Sequence, residues 1–280
     1  MNLPVQVGVF GGGRMGAGIA HAFLVAGAAV TVIEADDEAA VASGERVRAG
    51  LAKAAERHTL SEPLDDVAAR LTVTPDVAAL AGAALVVEAV PEVVDLKTTI
   101  LAKVEEVAPE AALATNTSSL SVDRLASNLK RPERFIGLHF FNPVPVSELV
   151  EIVVGSKTAS DLVTAAQSWV SSLGKTAITV TDSPGFASSR LGVAIALEAM
   201  RMLEDGVATA EDIDTAMTLG YKHPMGPLRT TDVVGLDVRL AIAEHLAREV
   251  GPRFEPPAIL RDKVAAGHLG RKSGQGFYTW

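Results

Sequence analysis

The stretch "VGVFGGGRMGAGIAHAF", residues Val7–Phe23, leads from an apolar run through a glycine-rich turn into a helical pattern. Gly11, Gly13 and Gly16 give the spacing G-x-G-x-x-G between the predicted strand and the predicted helix. In this setting Gly11 permits a tight turn, Gly13 lets backbone approach a pyrophosphate, and Gly16 lets the helix pack closely on the strand. The helix N-terminus then directs its unpaired N–H groups at the phosphates. The stretch predicts a dinucleotide-binding loop, and the alternative is a tight bend without a ligand.

The second predicted strand, Ala29–Glu34, ends in an acid about 20 residues beyond the loop, where a ribose hydroxyl is bound in such folds. No arginine follows Glu34 directly, so nothing there would receive a 2′-phosphate, and the sequence favours NAD over NADP. Arg14, inside the loop, is the one residue that argues otherwise, because a guanidinium pairs well with phosphate. We predict that Arg14 lies by the pyrophosphate or in solvent and that NADH is preferred.

Composition excludes several classes of protein. The chain has 280 residues, 48% of them hydrophobic and 21% charged, so a disordered chain is excluded. The net charge of −9 argues against a nucleic-acid or anionic-membrane partner, because phosphate binding needs a basic face. Cysteine is absent, which excludes disulfides and thiolate chemistry. With no long apolar run, no basic leader and no metal-ligand spacing, we expect a cytoplasmic protein without a metal.

Short β-rich runs alternate with helical patterns between Val5 and Val180, which predicts an α/β fold with a Rossmann-type, mostly parallel sheet. The alanine-rich segment Glu38–Arg70 is too long for a simple crossover and predicts an inserted helical hairpin that projects from the sheet. The predicted strands are Val5–Phe10, Ala29–Glu34, Leu71–Thr74, Leu85–Ala89, Ala112–Thr115, Phe135–His139, Leu149–Val154 and Thr176–Val180.

After "TDSPGF" (Thr181–Phe186) the β-rich runs stop, and only helical patterns with Gly/Pro punctuation follow. We therefore predict two domains, a dinucleotide-binding domain over residues 1–182 and a smaller all-α domain over 183–280. Apolar stripes at Leu191–Met202 and Val238–Val250 exceed what a core of this size needs. Part of them is either ordinary core or the surface of a homodimer, and we expect the homodimer.

Two stretches carry polar groups to predicted strand ends, where open α/β sheets bind ligands. The first is "ATNTSSL" (114–120), which contains Ser118, and the second is "GLHFFNPVPVSELVE" (137–151). In the second, His139 ends a strand, Asn142 follows, and Glu151 lies on the next strand. Histidine takes and returns a proton near neutral pH, and a carboxylate can fix its tautomer. Ser118 lacks a G-x-S-x-G setting, so we assign it to hydrogen bonding rather than to nucleophilic attack.

These motifs together resemble the L-3-hydroxyacyl-CoA dehydrogenase family, in order, from Val5 to Tyr278. The resemblance implies a Rossmann domain that binds NAD, a helical domain that dimerises, and an acyl-CoA substrate in the cleft between them. It is carried by "GGGRMGAGIA", "VVEAVPE", "TNTSSL", "GLHFFNPVPVSELVE", "DSPGF", "EDIDTAM", "PMGP", "DVVGLD" and "RKSGQGFY".

By this resemblance His139 is the general acid/base, Glu151 is its partner, and Ser118 and Asn142 hydrogen-bond the reacting oxygen and the acyl chain. Glu92 and Lys97, in "PEVVDLK", match the contacts to the ribose on the nicotinamide side. The predicted coenzyme-binding set is Gly11, Gly13, Arg14, Met15, Gly16, Glu34, Glu92, Lys97 and Asn116.

One position departs from the family pattern, because Ser189 stands in "PGFASSR" where the family has an asparagine that lines the active site. A hydroxyl is shorter than an amide and has fewer donors, so the substrate preference is open at this point. A dehydrogenase of free hydroxy acids, of the L-gulonate type, is one alternative, and a catalytically idle NAD-binding protein is another. The cations of the predicted hairpin, which include Arg46 and Arg48, either meet the phosphates of CoA or are solvated.

Overall fold

Eight strands form one sheet in the computed structural model, which describes residues 3–280. The strand order is β3-β2-β1-β4-β5-β6-β7-β8, and every neighbouring pair is parallel except β6 and β7. All eight predicted strands are confirmed to within one residue at each end. The strands are β1 Gln6–Phe10, β2 Ala29–Ile33, β3 Leu71–Thr74, β4 Leu85–Glu88, β5 Ala112–Thr115, β6 Phe135–Phe140, β7 Leu149–Val154 and β8 Thr176–Thr181.

The strand order changes direction at β1, which pairs with β2 on one side and with β4 on the other. The chain runs from β1 outward through β2 and β3, then returns to start the other half of the sheet at β4. Open parallel sheets bind ligands at such a switch point, beyond the carboxyl ends of the strands. The central strands β4, β5 and β6 are buried along their whole length, as expected of a sheet covered on both faces.

Six helices cover this sheet, and two of them form the predicted inserted hairpin, which packs on the sheet instead of projecting from it. Its first helix is long and its second has only six residues. Val47 and Leu51 of the first and Val67 of the second belong to the core of the sheet, so both helices pack inward. The helices are α1 Arg14–Val25, α2 Asp37–Glu56, α3 Leu64–Ala69, α4 Val94–Val107, α5 Val122–Ala126 and α6 Ser160–Ser172.

The described chain divides into two compact units, one that ends at Asp182 and one that starts at Ser183. The second unit is helical and has its own apolar core, to which Val193, Leu236 and Leu246 contribute. Within residues 3–280, no helix has the length and apolarity that a membrane span requires. The helices of this unit are α7 Ser188–Glu204, α8 Ala210–Thr215, α9 Pro227–Val234, α10 Leu236–Glu249 and α11 Ala258–Ala265.

The C-terminal segment of the second unit is fixed by two buried carboxylates, those of Asp232 and Asp214. Asp232 accepts hydrogen bonds from the backbone nitrogens of Phe277 and Tyr278, at 2.8 and 2.9 Å, and from the Trp280 indole at 2.8 Å. The Tyr278 hydroxyl donates to Asp214 Oδ2 at 2.8 Å. The motifs "EDIDTAM", "DVVGLD" and "RKSGQGFY" therefore meet inside this unit as parts of its hydrogen-bonded framework.

Candidate active site

A cavity of about 340 Å³ opens at the carboxyl ends of the strands of the first unit. Its position agrees with the switch point of the sheet, where the polar residues predicted from sequence converge. Six of those residues line it, and the rest of the lining is apolar or aromatic. The lining residues are Met15, Ala89, Val90, Glu92, Asn116, Ser118, His139, Phe140, Phe141 and Asn142.

His139 and Glu151 face each other across the antiparallel pair β6–β7, because they are register partners. The His139 Nδ1 atom lies 2.7 Å from Glu151 Oε2, and the two side chains are 8% and 0% exposed. A carboxylate accepts but does not donate, so Nδ1 carries the hydrogen of this bond. The ring of Phe141 lies 4.4 Å from the imidazole. The pair has the geometry in which a buried carboxylate orients a histidine for proton transfer.

Lys97 is 1% exposed and contacts two residues of the cavity wall, Val90 and Glu92. Its ammonium lies 2.6 Å from Glu88 Oε1, 3.2 Å from Glu92 Oε2 and 3.2 Å from the Val90 carbonyl. The second oxygen of Glu88 accepts from the Thr115 hydroxyl at 2.7 Å. Glu88 and Thr115 were not predicted as site residues, although each ends a buried strand on the polar edge of the sheet.

Glu92 holds the loop that contains Ser118. Its Oε1 atom accepts from the Thr117 hydroxyl and from the backbone nitrogens of Ser118 and Ser119, the latter two at 3.0 and 3.3 Å. Burial raises the pKa of Glu92. The charge of Lys97 and the hydrogen bonds from Thr117 and Ser118 lower the pKa by more than burial raises it, so this pKa lies below its ordinary value. Glu92 is therefore an ionised group on the cavity wall.

Amide groups complete the wall on the side of β6. Asn116 Oδ1 accepts from the Phe140 nitrogen at 2.9 Å, which ties the end of β5 to the end of β6 next to His139. Asn142 is exposed and lines the cavity from the loop that joins β6 and β7.

Ser189 is the second residue of α7 in the second unit, where it is half-buried. Its role as a substrate-lining residue stays a prediction.

The glycine loop between β1 and α1 fits a bound pyrophosphate. Gly11 has φ of 90°, and its nitrogen donates to the Ile33 carbonyl at 2.8 Å. A Cβ atom on Gly16 would lie 1.7 Å from the Gly11 carbonyl oxygen, so only glycine lets the helix approach the turn. Gly13 has no atom within 4 Å of the place of a Cβ, and no side chain caps the helix that follows. The loop thus leaves backbone N–H groups accessible to an anion.

Glu34 and Arg14 occupy different positions on this loop. Glu34 Oε1 accepts from the Gly12 nitrogen at 2.7 Å, and its side chain is half-buried at the end of β2. Arg14 is exposed at the first turn of α1 and forms no ion pair within residues 3–280. In the same residues, no group of three or more acids and histidines has the geometry to hold a metal ion.

Comparison with known proteins places this site in a family. A profile described as "3-hydroxyacyl-CoA dehydrogenase, NAD binding domain" matches residues 6–183, and the C-terminal domain of the same family matches residues 185–280. The chain belongs to the 3-hydroxyacyl-CoA dehydrogenase family. The resemblance seen in the sequence is thereby confirmed, together with the Rossmann-type fold and NAD as the cofactor.

Individual members of this dehydrogenase family are similar along the whole chain. A 3-hydroxybutyryl-CoA dehydrogenase of Mycobacterium tuberculosis is 42% identical over 280 residues, which cover 98% of each chain. The mitochondrial hydroxyacyl-coenzyme A dehydrogenase of Sus scrofa is 36% identical over 99% of this chain and 92% of its own. The crystal structure of an (S)-3-hydroxybutyryl-CoA dehydrogenase from Ralstonia eutropha superposes with a TM-score of 0.94, at 39% identity and 99% coverage of both chains.

Proposed function

We propose that this protein interconverts (S)-3-hydroxyacyl-CoA and 3-ketoacyl-CoA with NAD, and that His139 and Glu151 form its acid/base pair. The observation that carries the proposal is the 2.7 Å bond between His139 Nδ1 and Glu151 Oε2, because the imidazole of this pair lines the cavity. The cavity lies on the edge of the sheet that also carries the NAD-binding glycine loop. The pair supplies the proton transfer that accompanies oxidation of an alcohol.

In the oxidative direction, NAD held by the glycine loop and Glu34 would supply the acceptor for the hydride of C3 of the substrate. The proton of the 3-hydroxyl passes to His139 Nε2, since Nδ1 is held by Glu151. The carbon–oxygen bond becomes a carbonyl, and the Glu151 carboxylate stabilises the imidazolium that forms. In the reverse direction, the imidazolium returns the proton to the carbonyl oxygen. The substrate thus loses one hydride from C3 and one proton from its oxygen, which is the two-electron oxidation of an alcohol to a ketone.

Groups around His139 position the reacting oxygen. The Ser118 hydroxyl and the Asn142 amide line the same cavity, and both are hydrogen-bond donors. We assign them to the substrate oxygen and the acyl chain, where prearranged donors lower the barrier. Glu92 would bind the ribose on the nicotinamide side, and the buried Lys97 acts by holding Glu92 in place. The glycine loop, with Arg14, Met15, Glu34 and Asn116, completes the proposed coenzyme site.

The substrate class is an acyl-CoA, and the helical unit is assigned to substrate binding and to formation of a homodimer. Relatives named 3-hydroxybutyryl-CoA dehydrogenase support a short acyl chain. Several apolar side chains on the surface of the helical unit support the homodimer, among them Leu191 at 64% exposure and Val233 at 43%. Ser189 remains a proposed lining residue, and the substrate preference is open at this point.

Oxidation of NADH by acetoacetyl-CoA, followed by the loss of NADH absorbance, tests the proposal. We expect the protein to turn over acetoacetyl-CoA and not free acetoacetate. His139→Asn should lower kcat by about 10²- to 10⁴-fold, the usual contribution of a general acid/base, and Glu151→Gln should lower it in the same direction. NADH affinity should change little in both variants. His58→Asn is the matched control, because His58 is exposed and distant from the proposed chemistry in sequence.

Other outcomes would contradict specific parts of the proposal. Turnover of free acetoacetate alone would identify a hydroxy-acid dehydrogenase. NADH binding without turnover of any 3-ketoacyl-CoA or 3-hydroxyacyl-CoA would identify a non-enzymatic NAD-binding protein. Full activity of His139→Asn would remove the acid/base pair from the mechanism while leaving the substrate assignment intact.

A further inference from the structure

The backbone of Gly12, in the glycine loop, contacts two side chains of opposite charge. Its nitrogen donates to Glu34 Oε1 at 2.7 Å, and its carbonyl oxygen accepts from Arg46 Nη1 at 2.5 Å. A Cβ atom at this position would lie 1.8 Å from Ser43 Oγ, so α2 packs directly on the loop. The sequence identified Glu34 as part of the nucleotide site but left Arg46 undecided. In the structure, both side chains contact the backbone of Gly12.

Helix α2 explains how Arg46 reaches the loop. Arg46 follows the fully buried Ser43 by three residues, so both lie on the side of α2 that meets Gly12. The Arg46 side chain is exposed, and within residues 3–280 it forms one side-chain hydrogen bond, to Gly12. A guanidinium has five N–H donors, so most of them remain accessible at the outer edge of the loop.

The position of Glu34 indicates which part of a dinucleotide these donors meet. An acid at the end of the second strand of a Rossmann fold binds the ribose of the adenosine half. Glu34 and Arg46 both contact the backbone of Gly12, so Arg46 lies at that same half. A guanidinium there can donate to ribose hydroxyls, and it binds a 2′-phosphate better still, with two parallel hydrogen bonds.

We propose that Arg46 is a coenzyme-binding residue and that Glu34 and Arg46 together set the preference between NAD and NADP. Arg46 binds the adenosine ribose of NAD. The Glu34 carboxylate repels a 2′-phosphate and thereby keeps Arg46 from serving as a phosphate receptor. This inference depends on NAD binding by the first unit and is independent of the proposed acyl substrate.

The roles of Glu34 and Arg46 can be tested without any acyl substrate. The protein is titrated with NADH or NADPH, and protein and coenzyme fluorescence report the binding affinity. Arg46→Gln should weaken NADH binding about tenfold, the size of one hydrogen bond to a charged group. Arg48→Gln is the matched control, because Arg48 is an exposed arginine of the same helix and lies about 200° further around its axis. It should leave the affinity for NADH unchanged.

A double variant, Glu34→Gln with Arg46→Gln, distinguishes the effect of the negative charge from that of the positive charge. Glu34→Gln keeps an oxygen that can accept from Gly12, but it removes the negative charge, so it should strengthen NADPH binding about tenfold. Adding Arg46→Gln should abolish that gain, whereas Arg46→Lys should retain part of it because the positive charge remains. Thermal unfolding of each variant shows whether the fold is kept.

Three results would overturn the inference. The first is an Arg46→Gln variant that binds NADH as tightly as Arg48→Gln. The second is a gain in NADPH binding that survives in the double variant. The third is loss of that gain with Arg14→Gln instead, which would make Arg14 the phosphate receptor. Failure of the proposed dehydrogenase activity would appear only with acetoacetyl-CoA and would leave these affinities unchanged.

Discussion

Glu92 forms an ion pair and also holds a loop, and both interactions affect its pKa. Its carboxylate lies 3.2 Å from the Lys97 ammonium and accepts hydrogen bonds from Thr117, Ser118 and Ser119. These interactions favour the ionised form more than burial disfavours it, so the pKa of Glu92 lies below its ordinary value of 4.5. A carboxyl whose pKa is lowered in the folded state stabilises the fold above its unfolded pKa. That contribution is lost as the pH falls through the lower, folded value.

We therefore expect Glu92→Gln to lower the free energy of unfolding at pH 7, and the difference from the wild type to shrink below about pH 4. Urea unfolding at a series of pH values between about 3 and 7 measures this difference. Glu106→Gln is the control, because its carboxylate is 67% exposed and lies 3.7 Å from Lys130. A Glu92→Gln deficit that is constant across this range would show that charge is not its cause.

Sequence predicted the members of the site better than it predicted their surroundings. His139, Ser118 and Asn142 could be placed together because strand ends of a parallel sheet share one edge, and all three line the cavity. The burial of Lys97 could not be predicted, since a lysine within a helical pattern is normally solvated. Its burial depends on Glu88, which lies nine residues earlier on a strand, and such a tertiary ion pair leaves no periodic signal.

At the scale of elements, the loop between β6 and β7 connects the two members of the proposed acid/base pair. This loop, residues 141–148, contains Asn142. Lys175, which precedes β8, holds the loop through two of its backbone carbonyls. The Lys175 ammonium donates to the carbonyls of Val144 and Ser147 at 2.7 and 2.6 Å. Burial lowers the pKa of Lys175, and the nearby charge of Glu148 offsets part of this effect. Two backbone carbonyls of the loop thus converge on one cation.

Lys175→Met should loosen this loop, because methionine has a similar length and no N–H donors. We expect kcat/KM for acetoacetyl-CoA to fall about tenfold, the loss of one to two hydrogen bonds from a charged group, while NADH affinity stays unchanged. Lys175→Arg should restore part of the activity, and Lys157→Met, at an exposed position, is the control. A variant with a lower Tm and an unchanged kcat/KM would make Lys175 purely structural.

The same scale shows why one element was predicted wrongly in form. The eight strands are short apolar runs between turn residues, and each was recognised from the sequence. The predicted hairpin had a helical composition, but composition does not tell whether helices project or pack inward. Val47 and Leu51 decide this by joining the core of the sheet, and the same packing brings Arg46 onto Gly12. The local pattern thus predicted helices, and tertiary contacts determined their role.

At the scale of the whole molecule, the surface of the helical unit predicts self-association. Leu191 and Ile195 of α7 are 64% and 37% exposed, and Val233, Val234 and Val238 are each more than 40% exposed. Exposed apolar groups of this size on a protein surface mark an interaction surface, and most homo-oligomers are symmetric dimers. The alternation of apolar and polar residues predicted the stripes, but it could not separate core from interface.

Size-exclusion chromatography with light scattering should therefore give twice the chain mass for the wild type. Leu191→Lys should shift the mass toward that of a single chain, because a charge buried at an apolar interface without a partner is costly. Val41→Lys is the matched control, since Val41 is also 64% exposed but lies on α2 in the first unit. A monomeric wild type, or dissociation by Val41→Lys with Leu191→Lys intact, would show that the apolar surface of the helical unit has another use.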